Sequence, residues 1–381
     1  MKSNYFVTGA TGAIGSMLVP LLLEEPQNRI WLLIRANSPE HLRQRLEELI
    51  EFWELDTTRA DDARRRITLL QGDTDEPRFA LSEQAYGEIV KSCTHIIHSA
   101  GVVRMNLPLD TARKHALNAV KNIVELAHAC QVAGVLQKVE YVSTIGVAGK
   151  MPGLIPETWI TETRAFHNTY EQSKAEAEDY LREKMLELSL PVTVHRPSMV
   201  VGHSETGKII HFQIFYYICD FLSGRLTFGL LPHLGNAKLD IIPVDYVAKC
   251  IKTSSQRPDV FGKIFHLCSG VDYSIELAEI RKAVRVAIKI CELRSPILVD
   301  IPFLIFNSLI QIANHLATDN IRKTTKSFPF FLAYLHDTSG FENQLSARSL
   351  GIDLPLARDY LNLIITRYFI HRKGRLREAS N

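Results

Sequence analysis

The chain has 381 residues, of which 46% are apolar and 23% charged, and its formal net charge is +2. This composition is ordinary for a globular protein with a large core, and the near-neutral charge gives no reason to expect nucleic acid as a partner. The six cysteines stand apart without a Cys-x-x-Cys pair, which argues against a zinc site or a disulfide framework, and we predict no bound metal.

The first two-thirds of the chain alternates short β-branched runs with stretches of helical pattern. The predicted strands are Tyr5–Thr8, Ile30–Arg35, Ile67–Gln71, Thr94–His98, Val139–Ser143 and Val192–Arg196. The predicted helices are Ala13–Leu23, Pro39–Phe52, Glu83–Val90, Ala112–Ala133 and Tyr170–Leu188. This alternation predicts an α/β fold: a doubly wound parallel sheet of the Rossmann type, with helices on both faces.

The regular alternation ends near Gly202. The later predicted elements are a helix over Ile209–Leu222, a short strand entering a turn and a helix over Leu239–Asp245, a strand over Lys263–Leu267, and a final helix over Leu356–Ile370. From Ser274 onward we expect mostly helix, followed at the end by the basic tail 371–377.

Neither a leader peptide nor a membrane span is predicted. Met1–Asn4 is followed at once by a strand and lacks the apolar stretch of a signal peptide. The most lipophilic segment, 297–313, contains Asp300 and Pro302 and is too polar and too short to span a bilayer. We therefore expect a cytoplasmic protein in which this segment is a buried helix. Peripheral contact of the segment or of the basic tail with a membrane is the alternative.

A glycine-rich turn follows the first predicted strand and opens the first predicted helix. Its residues are Thr8, Gly9, Thr11, Gly12, Ala13, Ile14 and Gly15. Glycine permits the tight turn and lets N–H groups at a helix N-terminus approach a pyrophosphate, so the turn predicts a dinucleotide site. Residues after strands three and four are placed to meet the adenine and the middle of such a cofactor: Asp73, Thr74, Ser99, Ala100 and Gly101.

The second predicted strand ends in Arg35, where an acid would accept the 2′-hydroxyl of NAD. An arginine instead suits the 2′-phosphate of NADP. We therefore predict that NADPH is preferred over NAD, with Arg43 and Arg45 as further candidates for contact with the phosphate.

Tyr170 and Lys174 lie four residues apart at the start of a predicted helix, and therefore on one helical face. The ammonium favours the phenolate, so we expect Tyr170 to exchange protons more easily than its ordinary pKa of about 10 allows. Ser143 and Thr144, at the end of the fifth predicted strand, are candidates for holding a substrate carbonyl, although we expect one of them only to tie down backbone. This set predicts hydride transfer between nicotinamide and a carbonyl. Asn118 is either part of a proton relay or a polar helix-interior residue.

Several motifs stand in one order along residues 1–270. They are Thr8-Gly9-x-x-Gly12-x-x-Gly15, His98-x-Ala100, Tyr141-Val142-Ser143-Thr144, Tyr170-x-x-x-Lys174, the run from His195 to Gly202 and the run from Ile242 to Ala248. On these motifs the chain resembles the extended short-chain dehydrogenase/reductase superfamily. Within it, the run from His98 to Val102, the Val-Ser-Thr triplet and the run from Gly202 to Gly207 resemble thioester reductase domains and fatty acyl-CoA reductases.

The resemblance implies NADPH-dependent reduction of an acyl thioester, carried on coenzyme A or an acyl carrier protein, to the aldehyde and in some cases onward to the alcohol. By motif position it implies that Thr144, Tyr170 and Lys174 are catalytic and that Pro197 and Val200 contact the nicotinamide end. Two positions depart from the family pattern: His203 replaces a usual acid or amide, and Lys121-Asn122 replaces a usual Gly-Thr pair.

We expect an NADP-binding Rossmann domain over 1–202 and 240–268, with a smaller, mainly helical substrate-binding region over 203–239 and 269–381. Aromatic residues of that region are either an acyl channel or ordinary core: Phe212, Phe215, Tyr216, Tyr217, Phe221, Phe303 and Phe306. Two other functions stay open: a dehydrogenase or epimerase of a sterol-like or nucleotide-sugar alcohol, and a non-catalytic NADP-binding regulatory protein. The intact Tyr-Lys pair favours an enzyme.

Overall fold

The computed structural model describes residues 3–105, 107–233, 235–316 and 339–378, and only the backbone of 313–316 and 376–378. Part of the predicted substrate-binding region therefore lies outside the described residues. The strands are β1 Asn4–Thr8, β2 Arg29–Ile34, β3 Ile67–Gln71, β4 His95–His98, β5 Lys138–Val142, β6 Gly153–Ile155, β7 Val192–Pro197, β8 Met199–Val201, β9 Leu230–Pro232, β10 Lys238–Leu239, β11 Ile241–Pro243, β12 Ile264–Leu267, β13 Ile275–Glu276, β14 Val299–Ile301 and β15 Ser339–Phe341.

The helices alternate with the strands and then dominate the C-terminal part. They are α1 Ala13–Leu22, α2 Pro39–Trp53, α3 Thr57–Arg66, α4 Glu83–Ser92, α5 Leu109–Val132, α6 Thr169–Leu188, α7 Ile214–Leu222, α8 Val244–Ser255, α9 Leu277–Ile290, α10 Phe303–Leu316, α11 Gln344–Leu350 and α12 Ala357–Glu378.

Seven strands form one parallel sheet in the order β12-β7-β5-β4-β1-β2-β3. Val7 in β1 pairs with Leu32 of β2 on one side and Ile97 of β4 on the other. The strand order therefore reverses beside β1, and the loops that leave β1 and β4 diverge there. In open α/β sheets this switch point opens a crevice at the carboxyl ends of the strands.

Apolar side chains cover both faces of the sheet, so its strands β4, β5, β7 and β12 are wholly buried, whereas the edge strand β3 is partly exposed. One core cluster joins α1, α2 and α8 to the C-terminal helices, and the other joins α4, α5 and α6 to the opposite face. The doubly wound parallel sheet and the helical C-terminal region predicted from the sequence are thus confirmed.

Helix α3 was not predicted, because its sequence carries three successive arginines and no apolar stripe. It forms because Asp56 accepts a hydrogen bond from the backbone N of Arg59 at the helix start. The predicted helix over Ile209–Leu222 was too long, since Gln213 is extended and α7 begins at Ile214.

Segment 297–313 is not the buried helix that we predicted. Among residues 303–312 of α10, only Phe306 is fully buried, against Phe221, whereas Leu304 is 78% and Ile312 55% exposed. This part of the helix packs through one narrow face, so several of its apolar residues stay in contact with solvent. Within the part of the chain that the structure describes, no helix has the length and apolarity needed to cross a membrane.

Candidate active site

Two adjoining cavities open at the carboxyl edge of the sheet, one of about 230 Å³ and the other of about 490 Å³. The smaller one lies over the ends of β1, β2 and β3, and the larger one extends beyond β5 and β7. They share the residues Gly12, Ser99, Ala100, Gly101, Tyr170 and Lys174. Because both cavities share these residues, Tyr170 and Lys174 lie at the junction between them.

The glycine-rich turn packs too tightly to accept side chains at two positions. Gly9 has φ +79°, and a Cβ there would lie 2.5 Å from the backbone N of Ala100. A Cβ on Gly15 would lie 2.2 Å from the carbonyl oxygen of Gly9. The turn therefore brings bare backbone and the N-terminus of α1 to the junction of the cavities. This cradle fits the pyrophosphate of a dinucleotide cofactor.

Most of the predicted cofactor residues line one or both cavities. These are Gly9, Thr11, Gly12, Ala13, Ile14, Arg35, Thr74, Ser99, Ala100, Gly101, Tyr170, Lys174, Pro197 and Val200. Four others do not line either cavity: Thr8, Gly15, Asp73 and Asn118. Thr8 is fully buried and bonds His98 at 2.8 Å, so it joins β1 to β4 beneath the cavity.

Asp73 and Asn118 contact neighbouring residues instead of lining a cavity. Asp73 forms a long ion pair of 3.9 Å with Arg35, and Asn118 donates to the carbonyl oxygen of Asp75 at 3.3 Å. Asn122, one of the two departures from the family pattern, donates to the carbonyl oxygens of Thr74 at 2.9 Å and Glu76 at 2.8 Å. These amides fix the loop after β3 against α5.

At the far end of the smaller cavity, hydrogen bonds fix the side chain of Arg45 more firmly than that of Arg35. Its guanidinium donates to Thr11 Oγ1 at 2.9 Å and to the carbonyl oxygen of Arg35 at 2.6 Å. The Arg35 side chain is 64% exposed. Both arginines line the cavity, whereas Arg43 is exposed on α2 and does not.

Helix α6 places Tyr170 and Lys174 in the walls of both cavities, because Asn168 caps its start by accepting from the backbone N of Glu171 at 3.0 Å. Lys174 Nζ donates to the carbonyl oxygen of Val142 at 3.0 Å and lies 4.9 Å from the centre of the Tyr141 ring. The helix cap and these contacts hold the ammonium in a defined position at the end of β5.

The prediction that Tyr170 exchanges protons more easily than its ordinary pKa allows is wrong for this structure. Burial, with a smaller contribution from the charge of Glu171, raises the pKa of Tyr170 to about 12. Burial also lowers the pKa of Lys174 to about 8, partly offset by Glu178. Desolvation outweighs the attraction between the pair, so Tyr170 keeps its proton at neutral pH and is placed to act as an acid.

Ser143 and Thr144 both line the larger cavity but have different partners. Ser143 is buried and donates to Glu178 Oε2 at 2.5 Å. Thr144 is half-buried, and its hydroxyl oxygen accepts from the backbone N of Gly146 at 3.1 Å. That bond leaves the Thr144 hydroxyl hydrogen available for donation, so Thr144 is the better-placed donor to a bound carbonyl.

A buried ion pair supports the floor of this site. Arg196 in β7 forms an ion pair with Glu178 in α6, and the two side chains are 1% and 5% exposed. Arg196 also donates to the carbonyl oxygen of Thr158 at 2.9 Å and lies 3.3 Å from His266 Nε2. Glu178 thus connects Ser143 to a network that reaches β12.

The aromatic residues that the sequence left open as an acyl channel or as core do not form a channel at the larger cavity. Phe215, Tyr216, Phe221 and Phe306 are buried in the main cluster, and none of the seven aromatic candidates lines the larger cavity. Apolar residues from separate segments line it, among them Ile14, Val103, Met105, Ile145, Met199, Ile214, Leu239, Val271 and Phe341. Helix α7 turns its aromatic face inward because α9 and α12 cover it.

Two contributions to the larger cavity carried no sequence signal that we used. Strand β15 pairs in parallel with β6, and its three residues, 339–341, close one side of the cavity. His167 and Glu171 lie beside Tyr170 in the wall. Among the described residues, no group of three or more histidine, cysteine or acidic side chains is arranged to hold a metal ion.

The family model described as "Male sterility protein" matches residues 7–251, well over half of the chain and all of the cavity-forming turns described so far. The chain belongs to this family. It is therefore an NAD(P)-dependent oxidoreductase of the extended short-chain dehydrogenase/reductase type, and the superfamily resemblance drawn from the motifs is confirmed.

The chain matches only parts of several much longer curated relatives. The isonitrile lipopeptide synthase of Streptomyces coeruleorubidus is 29% identical over 257 residues, which are 66% of this chain and 17% of the synthase. For several other curated relatives the chain spans 26% of their length.

Solved structures share the fold. The terminal R domain from the myxalamid PKS-NRPS biosynthetic pathway superposes with a TM-score of 0.78 at 24% identity, covering 97% of this chain and 91% of that domain. The thiolation-reductase di-domain of an archaeal non-ribosomal peptide synthetase gives a TM-score of 0.73 at 20% identity, covering 98% of this chain and 76% of that structure.

Proposed function

We propose that this protein reduces an acyl thioester to an aldehyde with NADPH. The single observation that carries the proposal is the junction of the two cavities. There, an acid (Tyr170) and a cation (Lys174) stand between a pyrophosphate cradle and a larger, mainly apolar chamber. The chamber's volume of about 490 Å³ suits an acyl group and part of its thiol carrier.

A bound reduced nicotinamide would supply the hydride, and the protein's residues would control the charge that this creates on the substrate. Thr144 and Tyr170 donate hydrogen bonds to the carbonyl oxygen, where negative charge grows. Tyr170 transfers its proton to that oxygen. Lys174 stabilises the phenolate that results and returns to its resting contacts when Tyr170 is reprotonated. Ser143 holds the floor through Glu178 and does not act on the substrate.

The carrier of the thioester is proposed to be a protein-bound thiol rather than free coenzyme A. Support comes from the relatives, which include a thiolation-reductase di-domain and synthases of peptides and lipopeptides. The larger cavity is closed by short segments of the C-terminal part. Among the described residues that line it, Lys174 and Lys238 are the only lysines and there is no arginine, so this part of the wall offers little to recognise the phosphates of coenzyme A.

A direct test is to measure NADPH oxidation with one acyl group presented as an N-acetylcysteamine thioester, as a coenzyme A thioester and on a carrier protein, with the aldehyde trapped and identified. We expect aldehyde from all three and the highest kcat/KM with the carrier protein. Turnover confined to free aldehydes or ketones, or to oxidation of a sugar or sterol alcohol, would refute thioester reduction. Highest efficiency with coenzyme A would refute only the choice of carrier.

The preference for NADP is proposed to depend on Arg45 together with Arg35. We expect Arg45→Ala to weaken binding of adenosine 2′,5′-bisphosphate by about 10- to 100-fold, since a charge-assisted hydrogen bond contributes about 1.5–3 kcal/mol. Binding of 5′-AMP should change little, and titration calorimetry measures both. Arg43→Ala is the matched control, because Arg43 lies on the same helix but outside the cavity. Equal losses for the two nucleotides would contradict this assignment.

A further inference from the structure

A histidine–glutamate pair lies in the wall of the larger cavity next to Tyr170. The backbone N of His167 donates to Glu171 Oε2 at 2.9 Å, and the ring Nδ1 lies 3.1 Å from the same oxygen. The His167 side chain is 7% and the Glu171 side chain 1% exposed. Both line the cavity that receives the substrate, and none of the roles assigned so far uses them.

The position of Glu171 is fixed on two sides. Its backbone N donates to the capping side chain of Asn168 at 3.0 Å. Its Cγ packs so closely on the loop after β5 that a Cβ on Gly146 would lie 3.0 Å away. A carboxylate held in this way determines the orientation of the imidazole that it contacts.

The contact also determines which ring nitrogen exchanges protons. An ionised carboxylate only accepts hydrogen bonds, so His167 Nδ1 carries a hydrogen. Nε2 is then the ring nitrogen that gains and loses a proton. The negative charge of Glu171 compensates the positive charge of an imidazolium in this dry wall. His167 can therefore deliver a proton into the cavity from a fixed direction.

Reduction of a thioester needs protons at two places, whereas reduction of a ketone needs one. The carbonyl oxygen is served by Tyr170, but the carbon–sulfur bond must also break, and an alkyl thiolate is a moderately basic leaving group with a conjugate pKa of about 8.5. Building on the proposed thioester function, we propose that His167, positioned by Glu171, is the general acid that protonates the departing sulfur.

Addition of one hydride and the Tyr170 proton to the thioester gives a hemithioacetal. Its former carbonyl carbon bears a hydrogen, a hydroxyl and the thioether sulfur. The carbon–sulfur bond breaks, and its electron pair goes to sulfur, which takes the proton from His167 Nε2. The hydroxyl proton returns to Tyr170 as the aldehyde carbonyl forms. The aldehyde and a thiol leave, and His167 regains its proton from solvent, so the reaction consumes one hydride and one proton.

The test compares leaving groups in the same enzyme preparation. With His167→Gln we expect reduction of an N-acetylcysteamine thioester to fall about 10²-fold, the lower range for loss of a general acid. Reduction of the matching aryl thioester, whose thiolate departs without a proton, should fall less than about 3-fold, on the same scale. Reduction of the free aldehyde to the alcohol and the affinity for NADPH, measured by fluorescence titration, should be unchanged.

Two further variants separate chemistry from structure. Glu171→Gln should slow reduction of the alkyl thioester more than reduction of the aryl thioester, as His167→Gln does, but by a smaller factor. His203→Gln removes another histidine near a carboxylate, 3.8 Å from Asp245 and outside the cavity, and should change none of these rates.

Equal losses of His167→Gln on alkyl thioester, aryl thioester and aldehyde, or no loss on the alkyl thioester, would overturn the assignment of His167. A wild-type protein inactive on every thioester would refute the proposed function itself. The two failures are thereby distinguished.

Discussion

Replacement of Tyr170 by phenylalanine should lower kcat for thioester reduction by about 10²- to 10⁴-fold, the usual contribution of a positioned general acid. The substitution removes one hydroxyl and leaves the ring in the wall shared by the two cavities. Because burial keeps the phenol protonated at neutral pH, with its pKa raised to about 12, the lost group is a proton donor rather than a base in the resting enzyme.

Binding of NADPH by the Tyr170→Phe variant should stay within about 3-fold of wild type, since at most one hydrogen bond to the cofactor is lost. Fluorescence titration measures the affinity, and single-turnover kinetics measures the chemical step. Tyr141→Phe is a matched control: Tyr141 is a second buried tyrosine near Lys174, lines only the smaller cavity and has no role in proton transfer. Comparable rates for wild type and Tyr170→Phe would remove Tyr170 from the mechanism.

Breaking the buried ion pair should have the largest effect on stability. We expect Glu178→Gln to lower the free energy of unfolding by about 3–5 kcal/mol, because it leaves the guanidinium of Arg196 buried without a charged partner. Arg196 is fully buried and Glu178 4% exposed. Ser143 loses a charged acceptor at the same time. Urea denaturation followed by circular dichroism measures the change.

An exposed ion pair and a double variant serve as controls for Glu178→Gln. Glu47→Gln breaks a pair in which Arg64 is 40% and Glu47 53% exposed, and should cost less than about 1 kcal/mol. The double variant Glu178→Gln with Arg196→Met should recover part of the loss, since it removes the orphaned charge. A loss from Glu178→Gln no larger than that from Glu47→Gln would show that water reaches Arg196.

The sequence predicted the parts of the site that depend on neighbours along the chain. Three glycines at a spacing of three required a tight turn between a strand and a helix, and the structure packs Gly9 and Gly15 against backbone. Tyr170 and Lys174, four apart, necessarily share a helical face. Alternating strand and helix patterns required a parallel sheet, and such a sheet exposes its strand ends at one edge.

Other parts depended on which segments meet in space. The wall formed by 339–341 exists because β15 adds to β6, nearly two hundred residues away, and three residues of strand have no distinctive pattern. By composition, the aromatic residues of α7 suited either an acyl channel or core, and Phe215, Tyr216 and Phe221 are core because α9 and α12 cover them. The division of the chain at 202, 240 and 268 stays a prediction.

By itself, the sequence determined the fold class, the dinucleotide cradle and the presence of a tyrosine and a lysine on one face of a helix, because each follows from local periodicity and backbone sterics. Only the tertiary structure decided that Tyr170 keeps its proton at neutral pH, that Arg45 donates to the carbonyl oxygen of Arg35 and that His167 and Glu171 share the wall of the larger cavity. Those properties depend on desolvation and on contacts between distant segments. Neither can be predicted from the spacing of residues along the chain.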